Sequence, residues 1–282
     1  LFRWALREAD TREEIATHGF MLLAERVRDE EERIAVKEVI EKVFKVKIDP
    51  QDLYSATVAP ELKHFTGQKN SQGVVWTHAM RRLYVLVARA LRNNEPVLLV
   101  GETGCGKTTV GQLLAEALKK ELHIVNAHQN TETGDLIGSQ RPVRHRGALV
   151  DAMDVDLKSV LQTLGLDISG SVEERLDRYK ALDPSTSNTI PDEIRQRIDT
   201  HETRSKALFE WADGSLVESM REGHFFLLDE ISLADDSVLE RLNSVLEPSR
   251  TLLLAEKGID NSFVVGADGF QFFATMNPGG DF

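Results

Sequence analysis

From Thr11 to Phe44 the apolar residues Ile15, Phe20, Leu22, Leu23, Val27, Ile34, Val36, Val39, Ile40 and Val43 return at roughly helical spacing among charged neighbours. That is the pattern of amphipathic helices. His18-Gly19 interrupts it and predicts a separation between two helices, and Ile48-Asp49-Pro50 predicts the stop of the second. Such a stretch holds no strand and too little surface to close a core of its own, so it is expected to pack on something else. Residues 57–73, with Pro60, Gly67 and Gly73, read as a connector. A small all-α subdomain over 1–56 and a larger one over 57–282 follow from that boundary.

The period then changes. Residues about 74–93 read as a helix, 96–100 as a strand, 101–106 as a glycine-rich turn, 107–120 as a helix and 122–126 as a strand. Between about 147 and 211 two acidic helical stretches lie around Asp183-Pro184-Ser185-Thr186-Ser187-Asn188, a loop by composition, and the segment reads as an insertion. Strand character returns at 224–228, followed by a helix at about 235–246, a hairpin at about 251–265 and a strand at 270–275. This alternation predicts an α/β fold with a parallel sheet flanked by helices.

Composition narrows the classes. The 282 residues carry 34 Lys and Arg against 46 Asp and Glu, a net charge of −12, with 41% hydrophobic residues. Such a chain buries a core, and its acidic balance argues against DNA as a main partner. One cysteine, Cys105, excludes an internal disulfide and points to a reducing compartment. The longest apolar runs, such as 97–100 and 225–228, are too short to cross a bilayer, so no membrane partner is expected. The opening Leu1-Phe2-Arg3-Trp4 has no initiator Met, and the chain reads as a piece of a longer one.

The decisive stretch is Gly101-Glu102-Thr103-Gly104-Cys105-Gly106-Lys107-Thr108, a complete G-x-x-x-x-G-K-[ST] between a strand and a helix. Glycines let backbone N–H groups turn inward around phosphate oxygens, and the helix offers its positive end to the same anion. Lys107 would reach the β and γ phosphates, and Thr108 would place its hydroxyl on Mg²⁺. By background frequencies the motif arises by accident in about one chain in a hundred of this length, so phosphate binding is the stronger reading.

Phe225-Phe226-Leu227-Leu228-Asp229-Glu230 is an apolar strand ending in two carboxylates. Asp229 would hold Mg²⁺, directly or through water, and Glu230 would polarise an attacking water as a general base. Alone, a strand ending in an exposed acidic turn is commonplace; after a phosphate loop the pair becomes specific. Phe272-Phe273-Ala274-Thr275-Met276-Asn277-Pro278 adds a second apolar strand, whose Asn277 would orient the water or touch the γ-phosphate, although Asn before Pro is often a plain turn residue.

These elements, in this order, resemble the AAA+ ATPases, with Asn277 as the sensor 1 residue. The stretch from Glu230-Ile231-Ser232-Leu233 to Glu247, with a hairpin before Asn277, resembles the MoxR-type branch. The phrases Gly101 to Thr109, Thr133-Gly134-Asp135-Leu136-Ile137-Gly138 and Ala274-Thr275-Met276-Asn277-Pro278-Gly279-Gly280-Asp281 resemble the ring modules of the giant dynein-related AAA+ proteins of ribosome assembly. The resemblance implies a P-loop NTPase fold, with ATP or ADP and Mg²⁺ at Gly101 to Thr109 and Asp229, and hydrolysis by Glu230, Asn277 and Lys107.

It further implies a ring of such modules in one polypeptide, which strips assembly factors from pre-60S particles in the nucleolus and nucleus. Residues 1–56 would then be the helical lid of the preceding module, and 57–282 the large subdomain of the next, with the family's insertions at 147–211 and 251–265. The chain stops at Phe282, before the family's arginine finger, its own lid and sensor 2. An arginine supplied in trans by a neighbouring module is therefore expected, and weak nucleotide binding with little hydrolysis from this stretch by itself. The rival readings are a nucleotide site that serves the ring structurally or by regulation without turnover, and a MoxR-type chaperone ATPase built from separate subunits.

Lesser candidates complete the reading. Asn126 would restrain Glu230 as a glutamate switch does, or simply end its strand. Cys105 sits at a helix N-terminus, where a thiolate is favoured, and reads as a thiol that alkylating agents reach and nucleotide shields, or, better, as an inert small residue. Arg141-Pro142-Val143-Arg144-His145-Arg146 is the basic cluster of an acidic chain and reads best as a solvated loop, with a partner or ribosomal RNA as the sharper alternative. His123 and His128 have no metal-site companions.

Overall fold

A helix needs partners for its first N–H groups, and the opening segment supplies them. Thr11 accepts the Glu14 N–H while Glu14 reaches back to Thr11, a capping box that opens α1, Arg12–Leu23. The computed structural model describes residues 9–65, 73–257 and 262–278; the Leu1-Phe2-Arg3-Trp4 opening, Gly67 and the terminal Gly279-Gly280-Asp281 lie outside the described residues.

α1 runs straight through His18 and Gly19, both buried, so the expected separation is not there. A glycine inside a helix costs about 1 kcal/mol against alanine, and burial of Phe20, Met21 and Leu22 beside it offsets that cost. The separation comes at Ala24–Arg26, a 3₁₀ turn, after which Asp29 accepts the N–H groups of Glu31 and Glu32 to open α2, Glu30–Phe44. α2 ends at Lys45, left-handed at φ 57°, ahead of the predicted stop. Pro50 instead opens a short helix, α3, Pro50–Leu53, because a first turn has no use for its missing N–H.

These helices have no core of their own. Phe20, Ile40 and Tyr54 share one apolar cluster with Val85 and Leu91 of α4, His78–Arg92, with Val110 and Leu113 of α5, Lys107–Ala117, and with Phe225, Leu227 and Phe273 of the sheet. Glu25 adds a polar tie, accepting from Tyr54 Oη at 2.9 Å and from the Arg82 guanidinium.

The sheet is parallel, as the alternation predicts. β1, Val97–Val100, β2, Leu122–Asn126, β5, Phe225–Asp229, and β8, Gln271–Met276, lie in the order β1-β8-β5-β2. The central β5 and β8 are buried along nearly their whole length, which is why they read as continuous apolar runs rather than alternating ones. Register sets Val100 against Met276 and Asn126 against Asp229. The strand ends are therefore level, and the loops leaving them share one edge, where ligands bind in sheets of this kind.

Around this sheet stand α6, Thr133–Ile137, α11, Ser215–Glu222, and α12, Asp236–Leu246, with an antiparallel hairpin of β6, Thr251–Leu253, and β7, Phe263–Val265. α11 buries Leu216, Val217 and Met220 and is not among the expected elements.

Residues 138–214, with 255–257 and 262, form a second compact unit. It holds β3, Gly138–Pro142, paired antiparallel with β4, Phe209–Asp213, and α7, Arg146–Thr163, α8, Val172–Lys180, α9, Pro184–Ser187, and α10, Asp192–Lys206. The stretch read as a loop around Asp183 contains the turn α9, because Asp183 accepts the Thr186 N–H and Pro184 presets the first helical residue. Met153, Leu157, Leu176, Tyr179 and Ile198 make its core.

Ion pairs brace this unit. Asp154 accepts from Arg175 Nε at 2.7 Å, Asp156 from Arg197 Nε at 2.7 Å, and Glu202 from Lys180 Nζ at 2.6 Å. The Arg197 hydrogen bond holds the Asp156 carboxyl below its ordinary range, and Lys180 with Lys206 does the same for Glu202. A carboxyl lowered on folding contributes stability in full above its unfolded pKa of about 4, and that stability is lost as pH falls through the folded value. Asp156→Asn is accordingly expected to lower stability at pH 7 by about 1 kcal/mol or less, since Arg197 is 53% exposed. It should also flatten the stability curve below about pH 4. Denaturant melts across that range check both; an unchanged acid slope would remove Asp156 as a contributor.

Candidate functional site

The loop after β1 begins anchored to the sheet, with the Gly101 N–H donating to Met276 O at 3.2 Å. It then turns through Gly104 at φ +84° and Gly106 at φ +88°, left-handed backbone that favours glycine. At Gly106 a Cβ would also lie 3.0 Å from Met80 Cε. Gly106 caps α5 without any side-chain hydrogen bond, so the N–H groups of the first turn, from Lys107 through Thr109, and the positive end of the helix are left for an anion. Thr108 and Thr109 are half-buried, while Glu102, Thr103 and Cys105 are exposed.

Lys107 is buried, an unusual position for a lysine, and its ammonium is fully engaged. It donates to Gly101 O at 2.5 Å, Glu102 O at 3.0 Å and Asn277 Oδ1 at 2.9 Å. The other end of the same amide donates from Asn277 Nδ2 to Glu230 Oε1 at 2.6 Å. Asn277 thus bridges a cation on the loop and a carboxylate at the end of β5, and the ends of β1, β5 and β8 meet in one polar cluster.

Glu230 follows β5 in a left-handed conformation at φ +59°, uncommon for a residue with a side chain. Its N–H donates to Thr275 Oγ1 at 3.1 Å, and the same hydroxyl donates to Asp229 Oδ1. Asp229 also accepts the Ala127 N–H on its main-chain oxygen at 2.8 Å.

The structure brings Lys107, Asp229, Glu230 and Asn277 together, as the motif spacing predicts. Asn126, exposed at the end of β2, lies opposite Asp229 in the sheet register, while the amide that reaches Glu230 is that of Asn277. His123 stacks near His224 with ring centroids 6.1 Å apart, while His128 accepts the Asn130 N–H. Among the described residues no group of three or more His, Cys, Asp or Glu could hold a metal ion by itself. Arg141, Arg144 and Arg146 are exposed in the second unit, where Arg146 donates to Ala207 O at 2.7 Å.

Thr275 lies within the stretch 272–278, where the sequence assigns it no role. Its signal is a hydroxyl in a buried strand that is apolar but for Gln271 at its start, where such a group must find a partner.

A family model described as AAA domain (dynein-related subfamily) matches residues 96–173 and 166–281. Midasin of Dictyostelium discoideum is 42% identical over 100% of this chain and 5% of its own length. Midasin of Giardia intestinalis is 38% identical over 100% of this chain and 6% of its own length. An uncharacterized protein of Staphylococcus aureus strain USA300 is 24% identical over 77% of this chain and 56% of its own. The chain thus spans a small part, 5 to 6%, of the midasins it matches.

Proposed function

Because the chain belongs to the dynein-related subfamily of AAA domains, a nucleotide-binding family, we propose that it is an ATP-hydrolysing module whose site is the polar cluster at the ends of β1, β5 and β8. The observation that supports this most is the continuous connection from Lys107 through Asn277 to Glu230. A site for nucleotide alone needs a phosphate loop; it has no need of a carboxylate held beside it as a base.

On this reading the phosphates of ATP rest on the N–H groups of the loop and of the first turn of α5. Lys107 exchanges the carbonyls of Gly101 and Glu102 for β and γ oxygens. Asn277, released from Lys107, keeps hold of Glu230 and orients the attacking water. Glu230 takes a proton as the water oxygen bonds to the γ phosphorus and the bond to ADP breaks. The oxygens of Thr108 and Asp229 suit Mg²⁺, which takes one or two carboxylates together with substrate phosphates rather than a cage of protein ligands. When bound, that ion would neutralise charge on the phosphates. An arginine from a neighbouring module would complete the charge stabilisation.

The similarity to midasin supports a finer reading: a module in a ring of AAA modules in one polypeptide, working in the nucleus on assembly factors of pre-60S particles. Residues 1–56 are then the lid of the preceding module, consistent with α1 to α3 sharing the core of the sheet.

Calorimetric titration of the chain with ATP, ADP and AMP in Mg²⁺ tests the site. ATP and ADP are expected to bind at least about tenfold tighter than AMP, since the loop and Lys107 address the outer phosphates. Equal affinities for the three, or no binding at all, would overturn the proposal.

A further inference from the structure

Asp229 and Glu230 share one support, which meets the carboxylate of the first and the backbone N–H of the second. Thr275 is 0% exposed on β8, one residue beyond the pairing of Leu228 with Ala274. Its hydroxyl uses both of its capacities: it donates to Asp229 Oδ1 and accepts the Glu230 N–H at 3.1 Å. The two residues it contacts are adjacent in sequence but have different problems. Asp229 must hold one rotamer at the mouth of a loop. Glu230 must hold a left-handed backbone, φ +59°, that an L residue rarely adopts, and from that turn reach Asn277.

We propose that Thr275 is a positioning residue for the nucleotide site, its single hydroxyl setting both the rotamer of Asp229 and the left-handed turn at Glu230. This rests on the reading of the site given above and adds to it a role for a residue that lies inside the motif at 272–278 without one. Without the hydroxyl, the half-buried Glu230 N–H loses its partner, and the Asp229 carboxylate is free to turn. The group that holds the cation and the group that accepts the proton would lose their geometry together, because one oxygen serves both. The effect should have the size seen when the hydrogen-bond partner of a metal ligand is removed, about 10 to 100-fold in affinity or activity.

The test compares Thr275→Val, Thr275→Ser and Thr275→Ala. ADP affinity of the chain is measured with Mg²⁺ and with EDTA, and kcat and KM for ATP are measured in the full-length protein that carries the module. Thr275→Val is expected to lose at least about tenfold of the Mg²⁺-dependent gain in affinity and to lower kcat more than it raises KM. Thr275→Ser is expected to stay within about twofold of wild type.

A residue that only fills space gives the opposite order, since Val keeps the shape of Thr and Ser gives up a methyl group. That order would overturn the proposal. If Thr275→Val does not fold, the Ser and Ala pair decides, because those two differ by the one oxygen: equal behaviour removes the positioning role. Lys107→Ala is measured alongside. If it binds ADP as wild type does, the reading of the site itself fails and the role of Thr275 falls with it; if it loses ADP while Thr275→Val does not, the role of Thr275 alone is wrong.

Discussion

Glu230→Gln is expected to lower ATP turnover at this site by about 10² to 10⁴-fold, the usual contribution of a positioned general base, while ATP stays bound. The substitution is chosen from the geometry. Glu230 Oε1 accepts the Asn277 amide at 2.6 Å, and glutamine offers a carbonyl oxygen of the same size to that donor. The backbone contact to Thr275 is also untouched, because it runs through the Glu230 N–H. The site therefore keeps its shape and loses only its proton acceptor. Nothing in the substitution reaches the loop or Lys107, so affinity for ATP should change little. Steady-state hydrolysis by the full-length protein, with retained nucleotide counted after rapid gel filtration, reads both quantities. A large fall with ATP retained makes the site a working engine. An unchanged rate with nucleotide still bound would place turnover elsewhere and leave this module a structural or regulatory one.

What the sequence made legible, and what it hid, follows from the range of the interactions involved. The phosphate loop is legible because its geometry is local: the left-handed turns at Gly104 and Gly106 call for glycine, and a strand and helix on either side complete the requirement. β2 is read at its observed bounds, Leu122–Asn126, and β5 and β8 to within a residue, because apolar runs bounded by polar residues are strong strand signals. The misplacement of the first helix break is the opposite case. Gly19 looks like punctuation, but its helix is held by packing of Phe20, Met21 and Leu22 that no local rule contains. The pairing of β3 with β4 was hidden for a similar reason. Four helices separate the strands, and Phe209 at 56% exposure breaks any alternation that would have announced β4. At the site, the hydrogen bond from Asn277 to Glu230 was not legible, since two strands flank β5, each ends near an Asn, and side-chain reach decides which amide arrives. Thr275 needed the register as well.

Lys107→Ala is expected to weaken ATP and ADP binding by at least about 100-fold, or about 2.7 kcal/mol, and to leave AMP affinity nearly unchanged. The ammonium in this structure is buried and holds the Gly101 and Glu102 carbonyls together with Asn277 Oδ1. That arrangement has two consequences. The first is that the charge is already desolvated and poised at the loop, so its attraction to β and γ oxygens is felt at a lower effective dielectric than at the surface, where such contacts are weak. The second is that the loop carbonyls compete with phosphate for the Lys107 ammonium, so its loss removes the attraction and also leaves those acceptors without their donor. AMP separates these effects from simple damage to the fold: it lacks the outer phosphates that Lys107 addresses, so a collapsed loop would weaken all three nucleotides alike, whereas a lost charge spares AMP. Asn277 gives a further check. With Lys107 gone its Oδ1 has no cation to accept from, while Nδ2 still has Glu230. A second substitution, Asn277→Ala, on top of Lys107→Ala should therefore cost ADP affinity less than it does in the wild-type background, and strictly additive losses would show that the two residues act independently.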